Sequence, residues 1–304
     1  MRGTKRIPPG APGHPKTGSE QGYGLSKKRA FAAQTRKPPK EREAPAPEEY
    51  KPRKRAPAVK GAMQATLVYD DEEILAYDKG PGLSVIAPEG SRSRCLLDIA
   101  TAQIRRRNPK GRAAVVHRID RDTSGIVVFA KSASVKKTLM KDWDELVTER
   151  LYVALVEGSL EGSGVFDSWL KEDDKGRVFT AKPGERGAKR AITHWKALRE
   201  GAGLSLLELS LETGRKHQIR VQLADAGHPV LGDERYRAAR DDIGRLALHA
   251  KAIELKLPDR KAIRIESPAP EAFERALNAR RASSASSPTS GQKAARPKRG
   301  APRA

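Results

Sequence analysis

The sequence predicts an α+β fold: a mixed, largely antiparallel β-sheet core with flanking helices. Three observations point to it. Apolar, β-branched-rich runs of strand length recur at 65–69, 73–77, 126–130, 151–156, 204–211 and 246–257. Helical patterns occupy only 91–107, 133–145 and 215–226, too few to alternate with the strands as a parallel βαβ sheet requires. Both ends of the chain are rich in Pro, Ala, Gly and Ser and lack the apolar residues a core needs.

The elements follow in order. The run Ala65-Thr66-Leu67-Val68-Tyr69 and the run Glu73-Ile74-Leu75-Ala76-Tyr77 flank an acidic turn and read as a hairpin, ended by Lys79-Gly80-Pro81-Gly82. The helix over 91–107 sets Leu96, Leu97, Ala100 and Ile104 on one face and ends in Arg105-Arg106-Arg107. Val115 and Val116 lead into a polar loop and Ile126-Val127-Val128-Phe129-Ala130 leads out, so reactive side chains are carried between two buried strands. A helix over 133–145 precedes the strand Leu151–Val156 in sequence and Gly158 closes that strand. Residues 161–190, polar and Gly-rich, read as loops and short edge strands. After the strand over 204–211, Thr213-Gly214 breaks the pattern and a helix over 215–226 ends at Gly227, with His217 and Arg220 on one polar face.

The 304 residues carry a net charge of +22, unevenly spread. Residues 1–63 hold sixteen Lys or Arg against five acids, and 282–304 hold five basic residues and no acid. We therefore expect disordered basic tails at 1–63 (Pro-rich) and 282–304, around a folded region at 64–281 with a net charge of +6, long enough for one sizeable core or two small subdomains. Such a balance points to a polyanionic partner, with nucleic acid first. No apolar run approaches the roughly 18 residues of a membrane span, so no membrane partner is expected. The single cysteine, Cys95, rules out an internal disulfide and a Cys-based zinc site and fits the cytoplasm. No His/Cys/Glu set has metal-ligand spacing and no Gly-rich nucleotide loop follows a strand, so neither metal nor cofactor is expected. We expect a monomer.

Four blocks could carry chemistry: His117-Arg118-Ile119-Asp120-Arg121-Asp122-Thr123-Ser124-Gly125; Arg150-Leu151-Tyr152-Val153-Ala154-Leu155-Val156-Glu157-Gly158; Leu211-Glu212-Thr213-Gly214-Arg215-Lys216-His217-Gln218-Ile219-Arg220; and Gly232-Asp233-Glu234-Arg235-Tyr236 with Leu248-His249-Ala250. Taken singly each has a plainer reading. Asp120 would be a turn aspartate, Tyr152 a half-buried strand tyrosine, and the basic residues of 215–220 a solvated helix face.

In this order the blocks resemble those of the RluA-type RNA pseudouridine synthases, over roughly 65–275. The first is similar to HRLD-x-x-TSG with Ile119 for Leu, and the third matches TGR-x-HQIR at every defined position. Lys79-Gly80-Pro81-Gly82 departs slightly from the family's Lys-Pro-x-Gly. The S4-like domain of some members is not evident here.

The resemblance implies isomerisation of uridine to pseudouridine in structured RNA, ribosomal or transfer RNA or both, with no cofactor. It implies Asp120 as the catalytic aspartate, Tyr152 under the target base with its hydroxyl transferring a proton, and Arg220 paired with Asp120. Arg118 would fill the space of an extruded base or clamp a phosphate. Arg215 and His217 would contact RNA phosphates or organise their helix. Lys79, Thr123 and Ser124 would support the site wall, with Lys79 also a candidate phosphate contact. Gly232, Asp233 and His249 read as structural. Two alternatives stand beside this: a non-catalytic RNA-binding or ribosome-assembly protein of the same fold, and a hydrolase using His117 with Asp120 or Asp122.

Overall fold

The structure is a computed structural model and describes residues 65–258 and 260–279. The tails expected at 1–63 and 282–304 lie outside the described residues. Within them, β1 (Ala65–Asp70) and β2 (Ile74–Lys79) form the expected hairpin. Asp71 shapes its turn, since Oδ1 accepts the N–H groups of Glu73 and Ile74, each at 2.8 Å. A two-residue strand, β3 (Ala114–Val115), leads to the polar loop, and β4 (Ser124–Ala130) leaves it. β4 is buried along its whole length, which is why its sequence runs apolar without alternation.

β5 (Val147–Glu157) begins four residues before the expected strand. Residues 161–190 then depart from the expectation of loops and short edges, and the chain stays extended to Gly201. They form β6 (Ser163–Glu172), β7 (Val178–Ala181) and β8 (Lys189–Gly201), a long antiparallel extension. β9 (Leu204–Leu211), β10 (Leu248–Leu255) and β11 (Ile263–Glu266) complete one eleven-stranded sheet of order β1-β2-β4-β10-β5-β9-β8-β6-β7. β3 joins β4 and β11 joins β10 off this path. Every pairing is antiparallel except β4 with β10, so the sheet is mixed as the sequence predicts.

The helices are shorter than their sequence patterns. α1 (Leu96–Arg105) starts only after Cys95, whose N–H reaches the Asp98 carboxylate at 3.0 Å and whose backbone is extended. The helix expected over 133–145 breaks at Asp142 into α2 (Ala133–Lys141) and α3 (Trp143–Leu146). α4 (Gln218–Asp225) begins three residues late, because His217 takes a left-handed conformation at φ 53°. α5 (Glu271–Asn278), not anticipated, docks through Phe273, Ala276 and Leu277. Fully burying a side chain such as Phe273 contributes about 3 kcal/mol. No helix among the described residues is long and apolar enough to cross a membrane.

One core cluster joins β5, β9, α4 and α5, and another packs α1 on β2 and β4. Tyr152 touches both, which puts it at their seam.

Candidate active site

The polar loop between β3 and β4 is pinned at both ends. At its start, His117 Nε2 accepts the Val128 N–H of β4 at 2.9 Å, and the ring packs tilted on Trp143 at 5.5 Å between centroids. Desolvation pushes the His117 imidazole down to about 4, so it is neutral at pH 7 and its acceptor nitrogen is occupied. The hydrolase alternative thereby loses the base it requires. Ile119, buried, anchors the middle of the loop and leaves Asp120 beside it with its carboxyl 23% exposed.

At the other end, the Arg121 carbonyl accepts both the Lys79 ammonium and the Gly82 N–H, each at 2.9 Å. Lys79 also donates to the Gly80 carbonyl at 2.9 Å and is 0% exposed. Burial drives its pKa down to about 7, against partial support from Asp122 and Asp120. The expectation of a Lys79–phosphate contact is therefore corrected: a buried ammonium committed to two carbonyls holds the loop and does not meet solvent.

Beyond the loop, Arg245 Nη2 donates to Ser124 Oγ at 2.7 Å, Ser124 faces His249 Nδ1 at 2.8 Å, and His249 Nε2 faces the Ser267 carbonyl at 3.3 Å. His249 is an interior histidine with both nitrogens occupied. Gly125, at φ +112°, has no room for a side chain, since a Cβ would lie 2.2 Å from the Ala250 carbonyl oxygen. That close approach matters because Ala250 pairs with Gly125 on one side and with Tyr152 on the other. Gly125, Ala250 and Tyr152 thus sit in one row across β4, β10 and β5, about 10 Å from end to end. The register brings the Asp120 loop to Tyr152.

From the opposite direction comes the turn before α4. Gln218, buried, accepts the Arg215 N–H at 2.9 Å and the Thr213 hydroxyl at 2.8 Å through Oε1. This turn puts His217 outside the helix, so His217 and Arg220 do not share a helix face as expected, yet both converge on Asp120. Arg220 Nη1 donates to Asp120 Oδ2 at 3.1 Å, and His217 Nε2 lies 3.8 Å from the same oxygen. Burial, with the charges of Arg220, Arg235 and Lys216, outweighs Asp120 and pushes His217 down to about 4. The 3.8 Å approach is thus a neutral imidazole beside a carboxyl group, not an ion pair.

Two residues hold this pair in place that sequence reading took only as structural. Asp233 is buried and accepts Arg220 Nε at 2.7 Å and Nη2 at 2.8 Å, a bidentate pair. Burial alone would lower the Arg220 pKa; the Asp233 pair, with Asp120, more than offsets it and holds it above its ordinary value. Tyr236 lies under the Arg220 guanidinium at 5.1 Å and its hydroxyl meets His217 Nδ1 at 2.8 Å. The signal was the spacing in Gly232-Asp233-Glu234-Arg235-Tyr236, which puts Asp233 and Tyr236 three apart around a single 3₁₀ turn, Glu234–Tyr236.

Tyr152 is half-buried, and desolvation together with the Asp120 charge raises its pKa to about 12 in spite of Arg150. Arg118 and Arg215 are exposed on the rim, and Arg215 Nε donates to the Arg190 carbonyl at 3.1 Å. Among the described residues no three His, Cys, Asp or Glu side chains gather where a metal could sit.

A carboxyl group oriented by a doubly anchored arginine, beside a tyrosine that keeps its proton and under an exposed arginine rim, is an arrangement for acid–base or nucleophilic work on a polyanionic substrate. The comparisons agree. Residues 73–225 match the RNA pseudouridylate synthase family. The ribosomal large subunit pseudouridine synthase D of Nitrosomonas europaea is 34% identical over 220 residues, covering 69% of this chain and 63% of its own. An uncharacterized RNA pseudouridine synthase of Zymomonas mobilis is 35% identical over 163 residues, covering 53% of this chain and 74% of its own. The solved structure of human RNA pseudouridylate synthase domain containing 1 superposes with a TM-score of 0.54 at 26% identity, over 68% of this chain and 84% of its own. That of human RNA pseudouridylate synthase domain containing 4, at 22% identity and a TM-score of 0.57 over 70% of this chain and 91% of its own, shares the fold. The chain belongs to the RNA pseudouridylate synthase family. It spans 63% and 59% of the length of the synthase D relatives from Nitrosomonas europaea and Neisseria meningitidis serogroup A.

Proposed function

We propose that the protein isomerises uridine to pseudouridine in structured RNA, with Asp120 as the reacting carboxylate. The observation that carries this is the Arg220 bridge, which orients Asp120 from a buried anchor, Asp233. The C1′–N1 bond breaks, the base turns, and C5 bonds to C1′; C5 gives up its proton and N1 takes one up, so the composition is unchanged. Asp120 serves as nucleophile at C1′ or base at C2′. Tyr152 offers a ring for the base to stack on. Its hydroxyl holds its proton at neutral pH, so it takes the C5 proton only by passing its own onward.

The uridine must leave its stack to reach this site, at a cost of a few kcal/mol. Arg118, exposed two residues before Asp120, would fill the vacated space. Ribosomal RNA is the favoured target, since curated relatives act on the ribosomal large subunit by name. The cytoplasm is the compartment consistent with this reading and with a single cysteine.

Pseudouridine mapping by chemical adduct sequencing tests the proposal in cells carrying the wild type, a deletion, or Asp120→Ala. One or a few sites should vanish in both altered strains. Survival of every site in the deletion, with no RNA modified by purified protein, overturns it.

A further inference from the structure

The sheet carries a second basic feature away from Asp120. Residues 91–118 hold eight Arg or Lys against a single acid, Asp98, for a net +7. The whole of 64–281 carries +6, so the rest of that span is within one charge of neutral. Three of these residues, Arg105, Arg106 and Arg112, border an open groove of about 970 Å³ between α1, the approach to β3 and α2. Arg105, Arg106, Arg112 and Lys136 line it over an apolar floor that includes Leu97 and Val115.

The groove's cations are free to meet a ligand. Some arginines elsewhere are committed to carboxylates, as Arg199 is to Glu274 and Arg260 to Asp71 and Glu73. Among the described residues Arg106, Arg112 and Lys136 take part in no ion pair, and Arg105 donates only to the Gly111 carbonyl, at 3.3 Å. Asp98, held by the Cys95 N–H and thiol, is the one acid in the lining, so four cations against one carboxylate leave the groove at net +3. A net positive groove favours an anionic occupant.

We infer that this groove seats the sugar–phosphate backbone of the substrate RNA, on the strand or stem flanking the modified uridine. The inference rests on the reading of the protein as an RNA enzyme. No aromatic side chain lines the groove, so it offers nothing for a base to stack on and reads charge and shape, not sequence. Its place relative to the chemistry fits. Val115 lines the groove and Asp120 lies five residues on, at most about 18 Å along the chain. A duplex of that length presents about ten phosphates. One RNA can therefore touch both places. The groove positions; the Asp120 site selects.

The test uses the full chain and a protein-free large-subunit ribosomal RNA transcript, comparing wild type with Arg106→Ala/Arg112→Ala/Lys136→Ala. Binding is measured across a salt series alongside kcat, KM and Tm. The triple variant should show a log–log salt slope shallower by about 2 to 3, at roughly 0.7–0.9 per lost phosphate contact. KM should rise at least about tenfold at physiological salt with kcat and Tm unchanged, and Arg106→Lys/Arg112→Lys should keep the wild-type slope. An unchanged slope and KM in a folded triple variant overturns the inference while leaving conversion intact. No RNA binding by the wild type also overturns it. A slope lost in the variant while the wild type forms no pseudouridine upholds the groove and sinks the catalytic reading instead. Polyglutamate at equal charge should displace RNA from neither protein. Displacement from the wild type alone would assign the groove to an acidic protein and overturn the inference.

Discussion

Arg220 binds Asp233 through Nε and Nη2, at 2.7 and 2.8 Å, and has Nη1 left to reach Asp120 at 3.1 Å. Two of its contacts are structural and one faces the chemistry. The guanidinium fork is what allows this division; a lysine ammonium, a point donor, cannot hold both carboxyl groups in fixed directions. Arg220→Lys should therefore fold and bind RNA but lose about 10²-fold or more in kcat, as misplaced reacting groups do. Single-turnover conversion measures it.

Removing the guanidinium altogether separates stability from catalysis. Arg220→Met leaves Asp233 buried without a partner and should cost about 3–5 kcal/mol. That corresponds to a fall in Tm of roughly 10 °C for a domain of this size. Arg220→Met/Asp233→Leu should recover most of the lost Tm and none of the activity, which thermal melts and conversion assays decide together.

Tyr236→Phe keeps the ring under Arg220 and deletes the hydroxyl that meets His217 Nδ1. That hydroxyl and His217 Nδ1 lie 2.8 Å apart, and His217 Nε2 lies 3.8 Å from Asp120, so the contact orients the ring beside the carboxyl group. The variant should lose about 1 kcal/mol of stability and a few-fold in kcat, with KM for RNA unchanged.

Lys79 makes a pH prediction. Its folded pKa, about 7, lies below the model-compound 10.5 of an unfolded lysine. Between these values the unfolded chain binds more protons, so stability rises with pH across the window, by up to about 1.4 kcal/mol per pH unit. Below pH 7 the cost of burying the ammonium is felt in full. In Lys79→Met this contribution is gone, so the wild type should gain on the variant as pH rises from 7 to 10. The variant should also lose kcat, since the Arg121 carbonyl has lost one of its two ties. Denaturant unfolding at several pH values checks the slope.

Gly125→Ala should cost more than about 3 kcal/mol, because the new methyl would overlap the Ala250 carbonyl in a backbone conformation that already disfavours it. Gly162→Ala, at φ +84° but in open space, should lose only about 1 kcal/mol. Melting temperatures of the two variants distinguish a crowded row from a merely strained turn.

What the sequence made legible was local. β4 and β9 could be read because burial leaves an apolar run, and the hairpin β1–β2 because Asp71 writes its turn into three residues. The extension β6–β8 was hidden since its strands are largely exposed and mix Lys, Arg, Glu and Asp with apolar residues, so no clean period survives. The start of α4 was misplaced because a left-handed His217 and the Gln218 side-chain bonds depend on tertiary contacts. The approach of Asp120 to Arg220 came from motif order. Asp233 and Tyr236 were read only as structural, because a turn can be read from neighbours whereas the partner across space cannot. Lys79 illustrates the same limit, since charge suggested solvent and only burial shows otherwise.

The account turns on Asp120, and Asp120→Asn tests it with almost no change of shape. Because forming pseudouridine breaks the C5–H bond, RNA tritiated at C5 of uridine releases its label to water on each turnover. Purified Asp120→Asn should bind the ribosomal RNA transcript as the wild type does and release no tritium above background in a single turnover. Release at or near the wild-type rate would contradict the assignment of Asp120 as the reacting group.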